Sequence, residues 1–229
     1  MRIATENIPI IRDALKKYGI VNETLIAAIL AVIGKESGYK PVAENLNYTL
    51  ANIRKTWPYI PIDIATKLVG NPVALANYVY SNKYGNGDPS TNDGFAYRGR
   101  GFNQLTFKDL YYKVGKILGI DLVKNPDLLL DPKIAAEASA VYYKNVFQNN
   151  RAVIQKKYGI DITKPIPPGT DPKTLLKIAV NATAGFGKDQ SIVDNEYAKA
   201  LQYFKPNNRL NILPLLAAIT LLGILYSRS

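Results

Sequence analysis

The sequence predicts a mainly α-helical fold with a minor short β element. Apolar residues recur at helical spacing along most of the chain, the segments so marked begin and end at capping residues, and strand signals are few and short. With 229 residues, 47% hydrophobic and 21% charged, there is ample chain to bury a core.

Taken in order, Ile10, Ile11, Ala14, Leu15 and Tyr18 share one face and Gly19 fits a C-terminal cap, which predicts a helix over 8–18. Asn22 opens the next, ETLIAAILAVIG, apolar nearly all round and so expected in the middle of a domain; polarity returns at KESG. Further helices are predicted over 47–56, 62–70 and 72–81, before the polar, glycine-bearing loop NKYGNGDPSTNDG. Helices over 107–118 and 132–147 follow, joined by GIDLVKNPDLLLD. Pro165, Pro167, Pro168 and Gly169 mark an irregular loop, and a helix restarts over 172–182. KKYGI occurs at 16 and at 156, but the flanks do not match and no repeat is inferred.

The C-terminus changes character. From Leu210 to Tyr226 no residue is charged, with Lys205 and Arg209 before the stretch and Arg228 after it. Seventeen uncharged residues sit at the short limit for a membrane span, and Asn211, Pro214 and Thr220 weaken it. The expectation is a catalytic domain over 1–205, then a linker and a C-terminal transmembrane helix over 206–229, a single-pass anchor of undecided orientation. The N-terminal segment lacks a long apolar stretch, and Glu6 and Asp13 interrupt it early, so no secretory signal is predicted.

The chain has no Cys and no His, which removes a thiol nucleophile, a Ser-His-Asp triad, a disulfide framework and the usual zinc site. No metal or other cofactor is expected. Hydrolytic chemistry falls on carboxylates, hydroxyls and amides. The net charge of +11 suggests an anionic partner: nucleic acid, an anionic membrane or an acidic wall polymer. The lysines are spread in ones and twos rather than massed on one element, which argues against nucleic acid.

Two segments carry candidate chemistry. AYRGRGFNQLT, Ala96 to Thr106, lacks the Gly-Lys-Ser/Thr ending of a phosphate loop, and its flanking Tyr97, Phe102 and Leu105 are unlike a disordered Arg-Gly repeat. A plain tight turn is the alternative reading. In GKESGYKPVAEN, Glu36 leaves the buried helix and Glu44 follows eight residues later across a turn with Gly38 and Pro41. Two carboxylates facing across a cleft suit glycoside hydrolysis, one protonating the leaving oxygen and one activating water; two solvated surface glutamates are the alternative.

GKESGY, AENLNYT, RKTWP, NPVALANYVYSNKYGNGDPSTNDGFAYRGRGFNQLT and LGIDLVKNPDLLLDPKIAAEAS together resemble family 19 glycoside hydrolases, in the phage-endolysin branch rather than the plant chitinases, over about residues 22–190. The resemblance implies a lysozyme-like, two-lobed helical domain with a cleft, and single-displacement hydrolysis of a β-1,4 bond with inversion. It places Glu36 as general acid and Glu44 as general base, in a turn one residue shorter than the family usually has. Thr106 takes the place of the hydroxyl that positions water, Gln104 that of an amide contacting substrate, and Asn181 that of an asparagine lining the cleft. Tyr97 and Arg100 brace the turn or line a subsite, with simple packing as the alternative.

One departure concerns an arginine that the family commonly carries in its final helix, pairing with the catalytic carboxylates; DNEYAKALQYF has none, and Lys188 and Lys199 are the nearby cations. Burial against the apolar helix is expected to keep Glu36 protonated, and a more solvated loop to leave Glu44 ionised. The expected substrate is peptidoglycan, with chitin oligomers, a lytic transglycosylase and an inactive wall-binding virion protein as alternatives. With the anchor, these expectations place the protein in a virion membrane or a host cell membrane, with virion proteins among its partners.

Overall fold

The computed structural model describes residues 4–205. The chain opens with α1 (Ile8–Lys17) and α2 (Glu23–Ser37), then β1 (Val42–Ala43). Three short helices follow, α3 (Leu50–Thr56), α4 (Ile62–Leu68) and α5 (Pro72–Tyr80), then α6 (Asp93–Ala96) and β2 (Arg100–Gly101). The remainder is α7 (Lys108–Leu118), α8 (Pro132–Asn149), α9 (Arg151–Tyr158), α10 (Pro172–Ala184) and α11 (Gln190–Leu201).

Side-chain caps fix where many of these helices begin. Asn22 Oδ1 accepts from Leu25 N at 2.9 Å, and Asn71 Oδ1 accepts from Ala74 N at 3.0 Å. Asp131 accepts from Lys133 N and Ile134 N, and Asp171 from Lys173 N and Thr174 N. Proline follows the cap of α5, α8 and α10, where its missing N–H has no partner to lose. Thr49 caps α3, which therefore starts at Leu50 rather than at 47.

Three apolar clusters organise the packing. The largest is built around α2, whose Ile26, Ile29, Val32 and Ile33 are almost fully buried among residues of α1, α8, α10 and α11. As expected for a helix apolar nearly all round, α2 is the centre of this lobe. Truncating Ile29 to Ala there would cost about 2–5 kcal/mol. A second cluster joins α3, α4 and α5 through Ile53, Ala65, Leu75 and Val79. The third gathers Tyr97, Leu105, Tyr111, Val114 and Leu129 against Ala138 and Val141 of α8. This mainly helical arrangement with two short strands is consistent with the lysozyme-like expectation.

One element of that expectation does not hold. No helix among the described residues is long and apolar enough to cross a membrane, and the stretch expected to do so, 210–226, lies outside the described residues. The fold class is corrected to mainly α with a short β pair, without the transmembrane helix; the single-pass location in a virion or host membrane falls with it. The physical weakness of the expectation is length: seventeen residues at 1.5 Å each fall short of a hydrocarbon core of about 30 Å.

The approach of α5 to α6 depends on Gly94. A Cβ there would lie 2.5 Å from Ala76 O and 2.7 Å from Asn77 Cα. Asn77 also ties the two helices, donating to Asn92 Oδ1 at 2.9 Å and accepting from Phe95 N at 2.8 Å. Gly94→Ala is expected to lower stability by about 1–3 kcal/mol, moving the urea midpoint down with an unchanged slope; an unmoved midpoint would contradict the close approach.

Candidate active site

β1 and β2 pair antiparallel, Val42 opposite Gly101 and Ala43 opposite Arg100, and so bring the Glu44 turn onto the Arg-Gly turn. Glu44 N donates to Gly99 O at 2.8 Å, and Arg100 and Leu105 exchange backbone hydrogen bonds at 3.1 and 2.9 Å to close the turn on itself. Both glycines are needed. Gly101 has φ +79, and a Cβ on Gly99 would lie 2.8 Å from Gln104 Oε1. Gln104, itself at φ +52, donates through Nε2 to Val42 O at 2.9 Å and to Gly101 O at 3.1 Å. Its amide donor therefore holds the strand pair together. Thr106 Oγ1 donates to Gln104 O at 2.9 Å, which leaves the hydroxyl's lone pairs free to accept.

Glu44 is half-buried and held from two sides. Tyr80 Oη lies 2.9 Å from each carboxylate oxygen, and Gly99 N reaches Oε2 at 3.4 Å. Burial, and then the Glu44 charge, push the Tyr80 phenol far up, so it stays a donor at any working pH. Tyr80 packs edge-on against Phe107 at 5.5 Å between ring centroids, and Tyr84 meets the same ring at 4.9 Å. Phe107 has φ +78, a conformation costing an ordinary residue about 1–3 kcal/mol. Its N–H donates to Tyr97 O at 2.8 Å, so the strained residue is fixed at both backbone and ring.

Glu36 sits in the last turn of α2, which ends at Gly38 in the left-handed region. The expectation of a buried acid is corrected: the Glu36 side chain keeps 34% of its surface exposed. Instead of an apolar wall it has a cation. Lys35 Nζ pairs with Glu36 Oε1 and also with Glu196 Oε2 of α11, and Lys35 itself is 11% exposed. Lys199 adds a second contact to Glu196 at 2.9 Å. Burial lowers Lys35, but hydrogen bonds to Glu196 and Glu36 and their charges outweigh it and hold its ammonium above the usual value. The positive charge expected from Lys188 or Lys199 thus comes to Glu36 from its own chain neighbour, tethered to the final helix through Glu196.

The chain is 37% identical, over 133 residues, to a glycosyl hydrolase family 19 domain-containing protein of Haemophilus influenzae. The chain belongs to glycosyl hydrolase family 19. The match covers 57% of this chain and spans 66% of that relative's length. No family model matches the chain.

Within this family 19 chain, Glu44, Gln104 and Thr106 come together around the strand pair, while Glu36 stands in the last turn of α2, paired with Lys35. The other three expected residues are placed differently. Arg100 is 3% exposed, donating to Asp127 Oδ1 at 2.8 Å, Ala96 O at 2.6 Å and Tyr111 Oη at 3.1 Å. Tyr97 is 6% exposed, packs on Tyr111 and donates to Val123 O at 3.2 Å. Both brace the turn from behind rather than line a cleft. Asn181 is 1% exposed, its Nδ2 donating to Tyr158 Oη and Lys177 O, so it too is interior.

Residue-by-residue reading misses Tyr80 and Lys35. Tyr80 is one of three tyrosines over 78–84, and only the packing of α5 against the Glu44 turn singles it out. Lys35 adjoins Glu36 in sequence, a spacing at which helical side chains do not normally face one another.

The Lys35 bridge has a measurable pH signature. Burial raises Glu196, yet hydrogen bonds from Lys35 and Lys199 and their charges hold its carboxyl below the usual range. A lowered folded value means the contribution is present at neutral pH and lost as pH falls from about 4.5 through that value. Lys35→Met is expected to cost about 1–2 kcal/mol at pH 7 and to flatten the loss of Tm between about pH 5 and pH 3. An acid limb as steep as the wild type's would contradict the bridge.

Proposed function

We propose that the chain hydrolyses β-1,4 glycosidic bonds of peptidoglycan by single displacement with inversion, Glu36 as general acid and Glu44 as general base. The observation that carries this reading is the contrast between the two carboxylates. Glu44 accepts from Tyr80 Oη and Gly99 N, and among the described residues no ammonium or guanidinium pairs with it. Such a carboxylate is oriented as an acceptor without being neutralised, which suits a base. Glu36 shares Lys35 with Glu196, so the ammonium keeps a counter-ion when Glu36 carries the proton that it gives to the leaving oxygen.

Water is the third participant. The Thr106 hydroxyl has committed its proton to Gln104 O, so its oxygen accepts one water proton while Glu44 takes the other, turning a lone pair toward the anomeric carbon. Gln104 contributes by holding β1 on β2, with its Nε2 engaged there. The net charge of +11 favours an acidic wall polymer over neutral chitin as the surface on which the enzyme concentrates.

The test is digestion of purified peptidoglycan sacculi by the full chain beside Glu36→Gln and Glu44→Gln, with released ends identified by mass spectrometry. Reducing ends that fall by at least about 100-fold in both variants are expected. Anhydro ends would make the protein a lytic transglycosylase, and release from chitin oligomers alone would move the substrate. No release from either would leave a wall-binding protein.

A further inference from the structure

Between α5 and α7 the chain passes through loops, α6 and β2, yet a single buried amide joins the end of the one helix to the start of the other. Asn86, 6% exposed, donates through Nδ2 to Tyr80 O at 2.9 Å and accepts at Oδ1 from Lys108 N at 3.0 Å. Tyr80 closes α5 and Lys108 opens α7, so each offers a backbone group that its own helix leaves without a partner. The Asn86 side chain supplies both partners at once, and thereby fixes Tyr80 relative to Phe107 at the cap of α7.

Side chains complete this brace. The Tyr80 ring stands edge-on to Phe107, and Tyr84, 71% exposed, closes on the same Phe107 ring at 4.9 Å. Among the described residues six non-glycine residues have left-handed backbone, and four of them, Asn82, Tyr84, Gln104 and Phe107, belong to the segments leaving α5 and entering α7. Strain of that kind persists only where contacts over-determine it, and it gathers at functional sites. The group held in place here is the Tyr80 hydroxyl. It has one proton and stands 2.9 Å from each Glu44 oxygen, so whichever oxygen takes a proton from water, the other keeps its donor.

We propose that Tyr80 is the positioning residue of the base and that Asn86 sets where the Tyr80 hydroxyl stands. The proposal rests on Glu44 being the base; Tyr80 acts through Glu44, and Asn86 through Tyr80. From the other elements, Tyr48, Tyr59 and Arg98 bring titratable groups toward the pair. Both phenols are raised chiefly by burial and stay neutral at acid pH. The Arg98 guanidinium is committed to Phe95, donating to its carbonyl at 2.8 Å and lying 3.9 Å over its ring. Tyr80→Phe leaves all three in place.

The test compares pH profiles of the full chain with those of Tyr80→Phe and Asn86→Ala on soluble glycan fragments of peptidoglycan. A donor to a carboxylate favours its ionised form, so losing it is expected to move the acid limb of kcat/KM to higher pH by about one unit in Tyr80→Phe. In the same variant kcat is expected to fall about tenfold with KM within about twofold, because the lost contact orients the base and leaves the sugar's own contacts alone. Asn86→Ala keeps the hydroxyl, and its limb is expected to move in the same direction by less. An unmoved limb in Tyr80→Phe would overturn the proposal, as would a raised KM with kcat unchanged, which would put the phenol on the sugar. An unmoved limb in Asn86→Ala would overturn the part given to Asn86. Should Tyr80→Phe fail to fold, Asn86→Ala, which has no contact with Glu44, decides the whole proposal by the same shift. A wild type that releases no sugar from these fragments or from chitin oligomers overturns the hydrolase reading and the role of Tyr80 with it, whereas an active wild type beside an unmoved limb overturns Tyr80 alone.

Discussion

Everything at the candidate site depends on four paired residues. Val42 and Ala43 lie against Gly101 and Arg100, and that pairing sets the height of Glu44 over the turn bearing Gln104 and Thr106. So short a ladder has little stability of its own. It is held because its ends are anchored elsewhere: Arg100 is sunk between Asp127, Ala96 and Tyr111, Phe102 is fully buried in the main core, and Gln104 reaches back to Val42. Left-handed backbone at Gln104 and Phe107 persists because these contacts over-determine it.

The same anchoring separates the two carboxylates electrostatically. Glu44 belongs to the strand side and is met by neutral donors, a phenol and a backbone N–H. Glu36 belongs to the α2 side and is met by an ammonium that also answers to Glu196 on α11. Neutral donors orient a carboxylate while leaving its charge for a proton, whereas a shared ammonium lets a neighbour's charge absorb the change when a proton arrives. The electrostatic contrast between the two glutamates thus follows from which element each sits on, more than from depth of burial.

Much of this architecture is legible in the chain. The all-round apolar run of α2, the Asn and Asp caps and the prolines after them are local signals, and the structure uses them as such. α9 gives no comparable signal: RAVIQKKY buries only Ile154 and is separated from α8 by a single residue. The start of α7 falls one residue later than the pattern predicts, because nothing in a phenylalanine announces φ +78. The family resemblance names Glu36, Glu44, Gln104 and Thr106 as a set, but it does not give depth. Tyr97, Arg100 and Asn181 have the chemistry of a subsite and the burial of a core, and only packing distinguishes these. The charge-free C-terminal stretch shows the opposite error, composition alone suggesting an element for which length is marginal.

The central claim is that Glu36 and Glu44 act in one displacement with water on the far side of the sugar. The most direct measurement is proton NMR of the reducing end in the first minutes of cleavage of a β-1,4 amino-sugar oligomer, before mutarotation mixes the anomers. The α-anomer appearing first is the predicted result. Initial release of the β-anomer would mean retention through a second displacement, and would contradict Glu44 as the base and Thr106 as the hydroxyl that orients the attacking water.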